Sequence, residues 1–195
     1  MIDTKLRKNV QPIFDKLAGL FIKMKLSPNK ITLLAFVVGL LAGLFTGMRY
    51  SVLAVILLWL SGLLDVLDGS VARLKGESSS VGAYMDLILD RMVEAAIILG
   101  LFHAYPKQAW MYLLFFVAVI FNFTTFIVAG ALFKNEGKKS MHYDVGIAER
   151  TETFIVFTLL ILLPKYIFQI LLCFNIIIFI TGCIRFYRVV KEESK

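Results

Sequence analysis

Residues 61–94 have the sequence SGLLDVLDGSVARLKGESSSVGAYMDLILDRMVE, and the rest of the chain is best understood from this segment. Two apolar stretches flank a short polar segment at 75–80, a pattern typical of two helices joined by a turn. The apolar stretches contain four aspartates: Asp65, Asp68, Asp86 and Asp90. The members of each pair are three or four residues apart, so each pair lies on one helix face.

An antiparallel arrangement of these two helices would bring the four aspartates together. Asp65 would come level with Asp90, and Asp68 with Asp86, roughly 15 Å along the axis from the turn. An ionised carboxylate in hydrocarbon costs at least about 3 kcal/mol, so four of them predict compensating cations. Carboxylates without His or Cys favour Mg²⁺ or Mn²⁺, and two such ions would balance the four charges.

The composition of the whole chain is that of an integral membrane protein. It has 195 residues, of which 59% are hydrophobic, above the range of soluble domains. We predict one all-α membrane domain over residues 1–195, with an amphipathic interfacial helix at 1–26 and a six-helix bundle at 27–190. The six predicted transmembrane helices cover residues 30–48, 51–73, 82–104, 108–133, 151–164 with its flanks, and 166–187.

The distribution of Lys and Arg predicts the orientation in the membrane. If both termini are cytoplasmic, 17 of the 21 Lys and Arg residues fall in inner segments, 3 fall in outer loops, and Arg91 lies within a span. This bias follows the positive-inside rule and puts the aspartates toward the cytoplasm. The net charge of +7 is therefore mainly a topology signal. No nucleic-acid partner is expected, because the basic residues are dispersed among the loops.

The aspartates belong to a longer pattern that includes small residues and an arginine. Residues 65–90 match, at every fixed position, the signature D-x2-D-G-x2-A-R-x8-G-x3-D-x3-D. The chain therefore resembles the CDP-alcohol phosphotransferase family, membrane enzymes that make phospholipids. The resemblance extends to the six-span plan, the N-terminal interfacial helix and the motif Ser-Pro-Asn-x-x-Thr at residues 27–32.

The family resemblance implies a role for each residue of the pattern. Asp65, Asp68 and Asp86 would bind two metal ions, Mg²⁺ or Mn²⁺, while Asp90 would complete the site and act as the general base. The CDP group would lie against residues of three helices: Asn29, Thr32, Asp65, Gly69, Ala72, Arg73 and Gly82. Members of the family are usually homodimers.

The implied reaction is the transfer of a phosphatidyl-type group from a CDP-activated lipid to a small hydroxylated acceptor, with release of CMP. Arg150 and Arg185 occur in layouts similar to the phosphatidylinositol-phosphate synthase branch, in which two such arginines would hold the acceptor's phosphate. The third basic contact of that branch, expected near Ile127 and Val128, is missing. A polyol, a polyol phosphate and a small alcohol such as ethanolamine therefore remain open as acceptors.

Two other functions are compatible with parts of this pattern. A phosphotransferase that acts on CDP-choline or CDP-ethanolamine and diacylglycerol would use the same site with the substrate roles reversed. A cation-coupled transporter also carries acids within its spans, although transporters usually contain repeats or broken helices. An assay with radiolabelled CDP-lipid separates these classes, because a transporter would release no CMP.

Overall fold

Seven α-helices make up most of the chain that the structure describes. The structure is a computed structural model, and it describes residues 2–132 and 150–193, with side chains for 11–132 and 151–191. The helices are α1 (Ile2–Lys23), α2 (Pro28–Gly47), α3 (Ser51–Lys75), α4 (Ser80–Ala104), α5 (Ala109–Leu132), α6 (Arg150–Leu162) and α7 (Ile167–Glu193). Short 3₁₀ turns precede α5 and α7. These ranges contain no strand, which confirms the all-α prediction.

Four segments are long and apolar enough to cross a membrane, by length and composition: Pro28–Gly47, Ser51–Lys75, Pro106–Leu132 and Pro164–Lys191. Helices α4 and α6 coincide with the two remaining predicted spans but do not meet this criterion. Helix α4 has four charged residues within 86–94, and the apolar part of α6 is short, Thr151–Leu162. The described residues therefore indicate an all-helical membrane protein with four candidate spans.

Helix α2 holds the two aspartate-bearing helices together. It packs along both α3 and α4, whereas α3 and α4 make few backbone contacts with each other. Glycines permit the close approach of α2 and α4: a Cβ on Gly43 would lie 2.6 Å from the backbone oxygen of Ala96. Gly100 of α4 would likewise collide with the backbone oxygen of Gly43 if it carried a Cβ. The two acidic helices are thus positioned by a shared neighbour and not by direct packing.

Replacing Gly43 with alanine is expected to destabilise the protein by about 1–3 kcal/mol, because the new methyl group meets backbone atoms that cannot rotate away. The apparent melting temperature of the purified protein in detergent measures this loss. Gly47→Ala is the matched control on the same helix, since a Cβ there would lie 3.6 Å from Gly100, an ordinary contact. Equal melting temperatures for Gly43→Ala and the wild type would contradict the tight packing of α2 on α4.

The main apolar core and the aspartates lie at opposite ends of the bundle. The larger apolar cluster joins the end of α4 to the starts of α3, α5 and α7 and to α6, and its fully buried members include Leu58, Ile98, Phe157 and Leu171. A smaller cluster joins α1 to the start of α2 and the end of α3. The aspartates lie near this second end, because they occupy the last part of α3 and the first half of α4.

Helix α1 docks on the bundle beside the acidic end of α3. Five of its side chains belong to the smaller cluster with residues of α2 and α3: Phe14, Leu17, Ala18, Phe21 and Ile22. Other apolar side chains are exposed: Ile13 and Leu20 of the same helix, and Met24 directly after it. The part of the prediction that concerned the side chains of residues 1–10 lies outside the described residues. The described part of α1 therefore packs one apolar face on the protein and leaves other apolar side chains exposed.

Candidate active site

Three aspartates from two helices meet at the end of the bundle where α1 docks. One carboxylate oxygen each of Asp65, Asp68 and Asp86 lies within 4.8 Å of the other two. Asp65 and Asp68 belong to α3, while Asp86 belongs to α4. Asp90 follows Asp86 by one helical turn and is not a member of this close group of described residues. The tertiary structure thus brings three of the four predicted aspartates together.

The three carboxylates of this group repel one another when they are ionised. Two like charges 4.8 Å apart repel each other by about 3 kcal/mol at an effective dielectric constant of about 20. Asp68 is only 8% exposed, so water screens its charge weakly. Oδ1 of Asp86 is buried and has no hydrogen-bond partner among the described residues. A buried carboxylate oxygen without a donor is well suited to coordinate a metal ion.

The donor set of this group fits a hard divalent cation. Its members are carboxylates alone, and oxygen ligands of this kind favour Mg²⁺ or Mn²⁺ over zinc. Helix α2 contributes to the geometry, because the hydroxyl of Thr32 donates a hydrogen bond of 2.5 Å to Oδ2 of Asp68. Thr32 was predicted to lie near the CDP group, and its observed contact is with one of the acids.

Gly82 permits a close approach of α2 and α4 beside the aspartates. A Cβ on Gly82 would lie 3.3 Å from Oδ1 of Asn29 and 3.3 Å from Oγ of Ser79. Ser79 caps α4 by accepting a hydrogen bond of 3.0 Å from the backbone N–H of Gly82. Two residues predicted at the CDP site, Asn29 and Gly82, are therefore neighbours in space, although they come from different helices.

The last turns of α3 carry the other residues predicted to contact CDP. Gly69 lies beside Arg73, since a Cβ on the glycine would be 3.2 Å from Nη1 of the arginine. Nη2 of Arg73 donates a hydrogen bond of 3.0 Å to Oγ of Ser70. Ala72 is partly exposed and Arg73 is exposed. These residues therefore form a surface next to the aspartates that a ligand can reach.

Arg185, one of the two predicted acceptor-binding arginines, is held between α7 and α5. Its Nη1 donates a hydrogen bond of 3.0 Å to Oδ1 of Asn122, and its guanidinium lies 5.4 Å from the ring centre of Phe126. Sequence reasoning missed this pairing, because nothing in the spacing of Asn122 and Arg185 connects two separate helices. Arg150 begins α6, and its side chain lies outside the described residues.

The fold and the site define a class of protein: a helical membrane protein whose group of aspartates is bordered by small residues and an arginine. Residues 25–183 match the sequence profile of the family described as CDP-alcohol phosphatidyltransferase. Because this match covers most of the chain, the protein belongs to that family. It is therefore a transferase of phospholipid biosynthesis.

Individual relatives are similar over nearly the whole chain. The inner membrane protein YnjF of Escherichia coli is 32% identical over 174 residues, which cover 85% of this chain and 84% of that protein. The crystal structure of Mycobacterium tuberculosis phosphatidylinositol phosphate synthase with CDP-DAG bound has a TM-score of 0.67 at 20% identity, over 92% of this chain and 91% of that one. The same synthase in complex with manganese and citrate has a TM-score of 0.66 at 20% identity, over 91% and 86% of the two chains. These structural similarities establish a shared fold.

Proposed function

We propose that the protein transfers a phosphatidyl-type group from CDP-diacylglycerol, or from an ether-lipid equivalent, to a polyol or polyol phosphate and releases CMP. The observation that carries this proposal is the close group of Asp65, Asp68 and Asp86. Membership of the family supplies the reaction class. The polyol-type acceptor is supported by the phosphatidylinositol phosphate synthases that share this fold.

Asp65, Asp68 and Asp86 would hold two ions, Mg²⁺ or Mn²⁺, with Asp90 completing the site. When bound, these ions would neutralise negative charge on the diphosphate of the donor and on the departing CMP. Oδ1 of Asp86, which is buried and has no hydrogen-bond partner in the part of the chain that the structure describes, supports this assignment. The manganese complex of the mycobacterial synthase supports it as well.

The CDP group would lie across the ends of α2, α3 and α4. Asn29 and Gly82 would border it on one side, and Gly69 and Ala72 would let it approach the α3 backbone closely. The guanidinium of Arg73 would contact the negatively charged phosphates, for which a planar group with several donors is well suited. Thr32 would border the nucleotide while its hydroxyl holds Asp68 in place.

Asp90 would act as the general base. Its carboxylate would take the proton from the acceptor's hydroxyl as the hydroxyl oxygen forms a bond to the phosphorus attached to the lipid. The bond between that phosphorus and the oxygen of CMP would break, and CMP would leave with the electron pair. The position of Asp90, one helical turn beyond Asp86 on α4, supports this role because the base would lie beside the metal-binding acids.

We further propose that α2–α7 all cross the membrane and that α1 lies in the interface, with both termini and the active site on the cytoplasmic side. The bounds of α2–α7 agree with the six predicted spans to within a few residues, apart from the end of α7. Two of the four charged residues that lower the hydropathy of α4, Asp86 and Asp90, belong to the proposed site. A homodimer, as is usual in the family, is also expected. Light scattering of the protein in detergent measures the number of chains directly.

The decisive experiment follows CMP release from radiolabelled CDP-diacylglycerol by the purified protein, with Mg²⁺ or Mn²⁺ and a panel of acceptors. The panel contains inositol phosphate, glycerol phosphate, inositol, serine and ethanolamine. We expect CMP release that requires the metal and a polyol-type acceptor. Turnover only with CDP-choline or CDP-ethanolamine and diacylglycerol would favour the reversed use of the site. Absence of CMP release with every donor would contradict a transferase.

Arg185→Gln is expected to raise KM for a polyol phosphate at least about tenfold while KM for an unphosphorylated polyol changes less than about twofold. The reason is that the guanidinium, oriented by Asn122 and Phe126, would contact the acceptor's phosphate. Initial rates with the two acceptors measure the difference. An Arg150→Gln variant and the double variant extend the test to the second predicted arginine.

Asn175→Ala is the matched control for this experiment. It removes another hydrogen bond between α7 and α5, the 3.1 Å bond from Nδ2 of Asn175 to the backbone oxygen of Met111. Both KM values should stay at the wild-type level in this variant. Equal losses with phosphorylated and unphosphorylated acceptors in Arg185→Gln would contradict a phosphate pocket.

A further inference from the structure

A chain of hydrogen bonds connects the N-terminal helix to Arg73. Nε2 of Gln11 in α1 donates to Oγ of Ser70 in α3 over 3.3 Å. Nη2 of Arg73 donates to the same oxygen over 3.0 Å. Ser70 is fully buried, at 0% exposure, whereas Arg73 is exposed. A buried hydroxyl therefore connects a helix outside the bundle to a guanidinium at the mouth of the site.

Each hydrogen bond in this chain has a defined donor and a defined acceptor. A serine oxygen can accept two hydrogen bonds, and Gln11 and Arg73 use both positions. The amide nitrogen of Gln11 has a second hydrogen, which it donates to Oδ1 of Asp15 over 2.8 Å. This bond orients the amide, because Asp15 lies one turn further along α1 and accepts only from the nitrogen end. Ser70 thus receives a donor from a side chain whose orientation is already determined.

The packing of α1 keeps Gln11 in reach of Ser70. Phe14 and Leu17 follow Gln11 on the helix and pack in the apolar cluster that contains Leu67 and Val71 of α3. Ser70 lies between these two α3 residues in the sequence. The contact between α1 and α3 therefore combines apolar packing with one polar bridge, and that bridge leads to Arg73.

We propose that Ser70 and Gln11 are positioning residues that hold Arg73 in the conformation that binds the CDP group. The N-terminal helix is thereby part of the nucleotide site. An exposed arginine has many rotamers, and a partner that selects the binding rotamer in advance lowers the entropic cost of binding. In this conformation, Nη1 of Arg73 lies beside Gly69, where the CDP-lipid would approach the α3 backbone. This inference rests on the proposed function, since it concerns the donor of that reaction.

The test measures KM for CDP-diacylglycerol and kcat in two single variants of the full chain. Ser70→Ala should raise KM for the donor about 5- to 10-fold and leave kcat within about twofold, because the arginine is present but no longer oriented. Gln11→Ala should raise KM about 2- to 3-fold, because one neutral hydrogen bond is lost. An unchanged KM in both variants would overturn the proposal.

Ser61→Ala is the matched control on the same helix. Ser61 is also buried, and its hydroxyl donates a hydrogen bond of 2.8 Å to the backbone oxygen of Ala35. Its replacement removes one buried hydroxyl of α3 that does not contact Arg73, so KM for the donor should not change. A rise in KM equal to that of Ser70→Ala would mean that any lost serine hydroxyl in α3 has this effect, and would overturn the positioning role.

A double variant separates positioning from structural damage. In an Arg73→Ala background, Ser70→Ala should change KM by less than about twofold, because Ser70 acts through the arginine. Full additivity of the two effects would contradict this. If Ser70→Ala does not fold, Gln11→Ala and its combination with Arg73→Ala give the same comparison. A wild-type protein that releases no CMP contradicts the proposed function, whereas an active wild type with unaltered Ser70→Ala and Gln11→Ala variants contradicts only this inference.

Discussion

Asp86→Asn should reduce CMP release by about a thousandfold and, at the same time, raise the melting temperature of the metal-free protein. The activity falls because an amide in place of the carboxylate removes one of three charges that would hold the metal ions. The stability rises because the same charge repels Asp65 and Asp68, whose oxygens lie within 4.8 Å. We expect a gain of about 1–3 kcal/mol, allowing for screening by water.

Thermal melting with and without Mg²⁺ or Mn²⁺ measures the gain in stability and the loss of metal binding, and the CMP assay measures the loss of activity. The wild type should be stabilised by the ions, since a ligand that binds only the folded state shifts the unfolding equilibrium. Asp86→Asn should lose most of that shift. Glu77→Gln is the matched control, because Glu77 lies in the turn between the same helices and pairs with Lys75 at 3.0 Å. Normal turnover and a normal metal-induced shift in Asp86→Asn would show that Asp86 is no ligand.

The second large effect is expected for Asp90→Asn, which should lower kcat by about 10²- to 10⁴-fold, the range usually contributed by a general base. Most of the metal-induced shift in melting temperature should remain, because the three closely grouped aspartates are intact. KM for the CDP-lipid should also change little. This combination of a low kcat and retained metal binding distinguishes the base from the principal ligands.

Glu94, the next acid along α4, offers no simple replacement for Asp90. Glu94 lies one turn further along α4 and pairs with Arg91, with 2.6 Å between the charged atoms. Its side chain is therefore engaged, and we do not expect it to take over as the base. Near-normal turnover of Asp90→Asn with metal bound would refute the base assignment. Loss of the metal-induced shift would instead make Asp90 a principal ligand.

Features that depend only on residues within one helix were predictable from the sequence. The three- and four-residue spacings of the aspartates depend only on the helical repeat, so the faces on which they lie could be read directly. The bounds of α3 illustrate this: residues 51–73 were predicted, and Ser51–Lys75 is observed. Gly76, with φ of 66°, ends the helix in the left-handed region, where glycine is favoured.

Features that depend on contacts between helices were only partly predictable: the convergence of aspartates from α3 and α4 was predicted, but the contacts with other helices were not. Nothing in the sequence indicated that Gly100 meets Gly43, because a close approach requires both helices to be placed first. The same is true of Asn122 with Arg185 and of Gln11 with Ser70, which are pairs distant in sequence. The number of membrane crossings was not predictable from hydropathy alone either. Charged residues lower the hydropathy of α4, and whether they can lie within the membrane depends on the neighbouring helices.

The order of residues alone determined that the chain is helical, that it belongs in a membrane, and that its acids line two helix faces, because hydropathy and helical periodicity act within a single segment. Only the tertiary structure decided that α2 lies against both acidic helices, that three of the four aspartates predicted to converge form the close group, and that α1 reaches Arg73 through a buried serine. These outcomes depend on how side chains from distant segments pack together, and the pattern within one segment does not show which distant segment will lie against it.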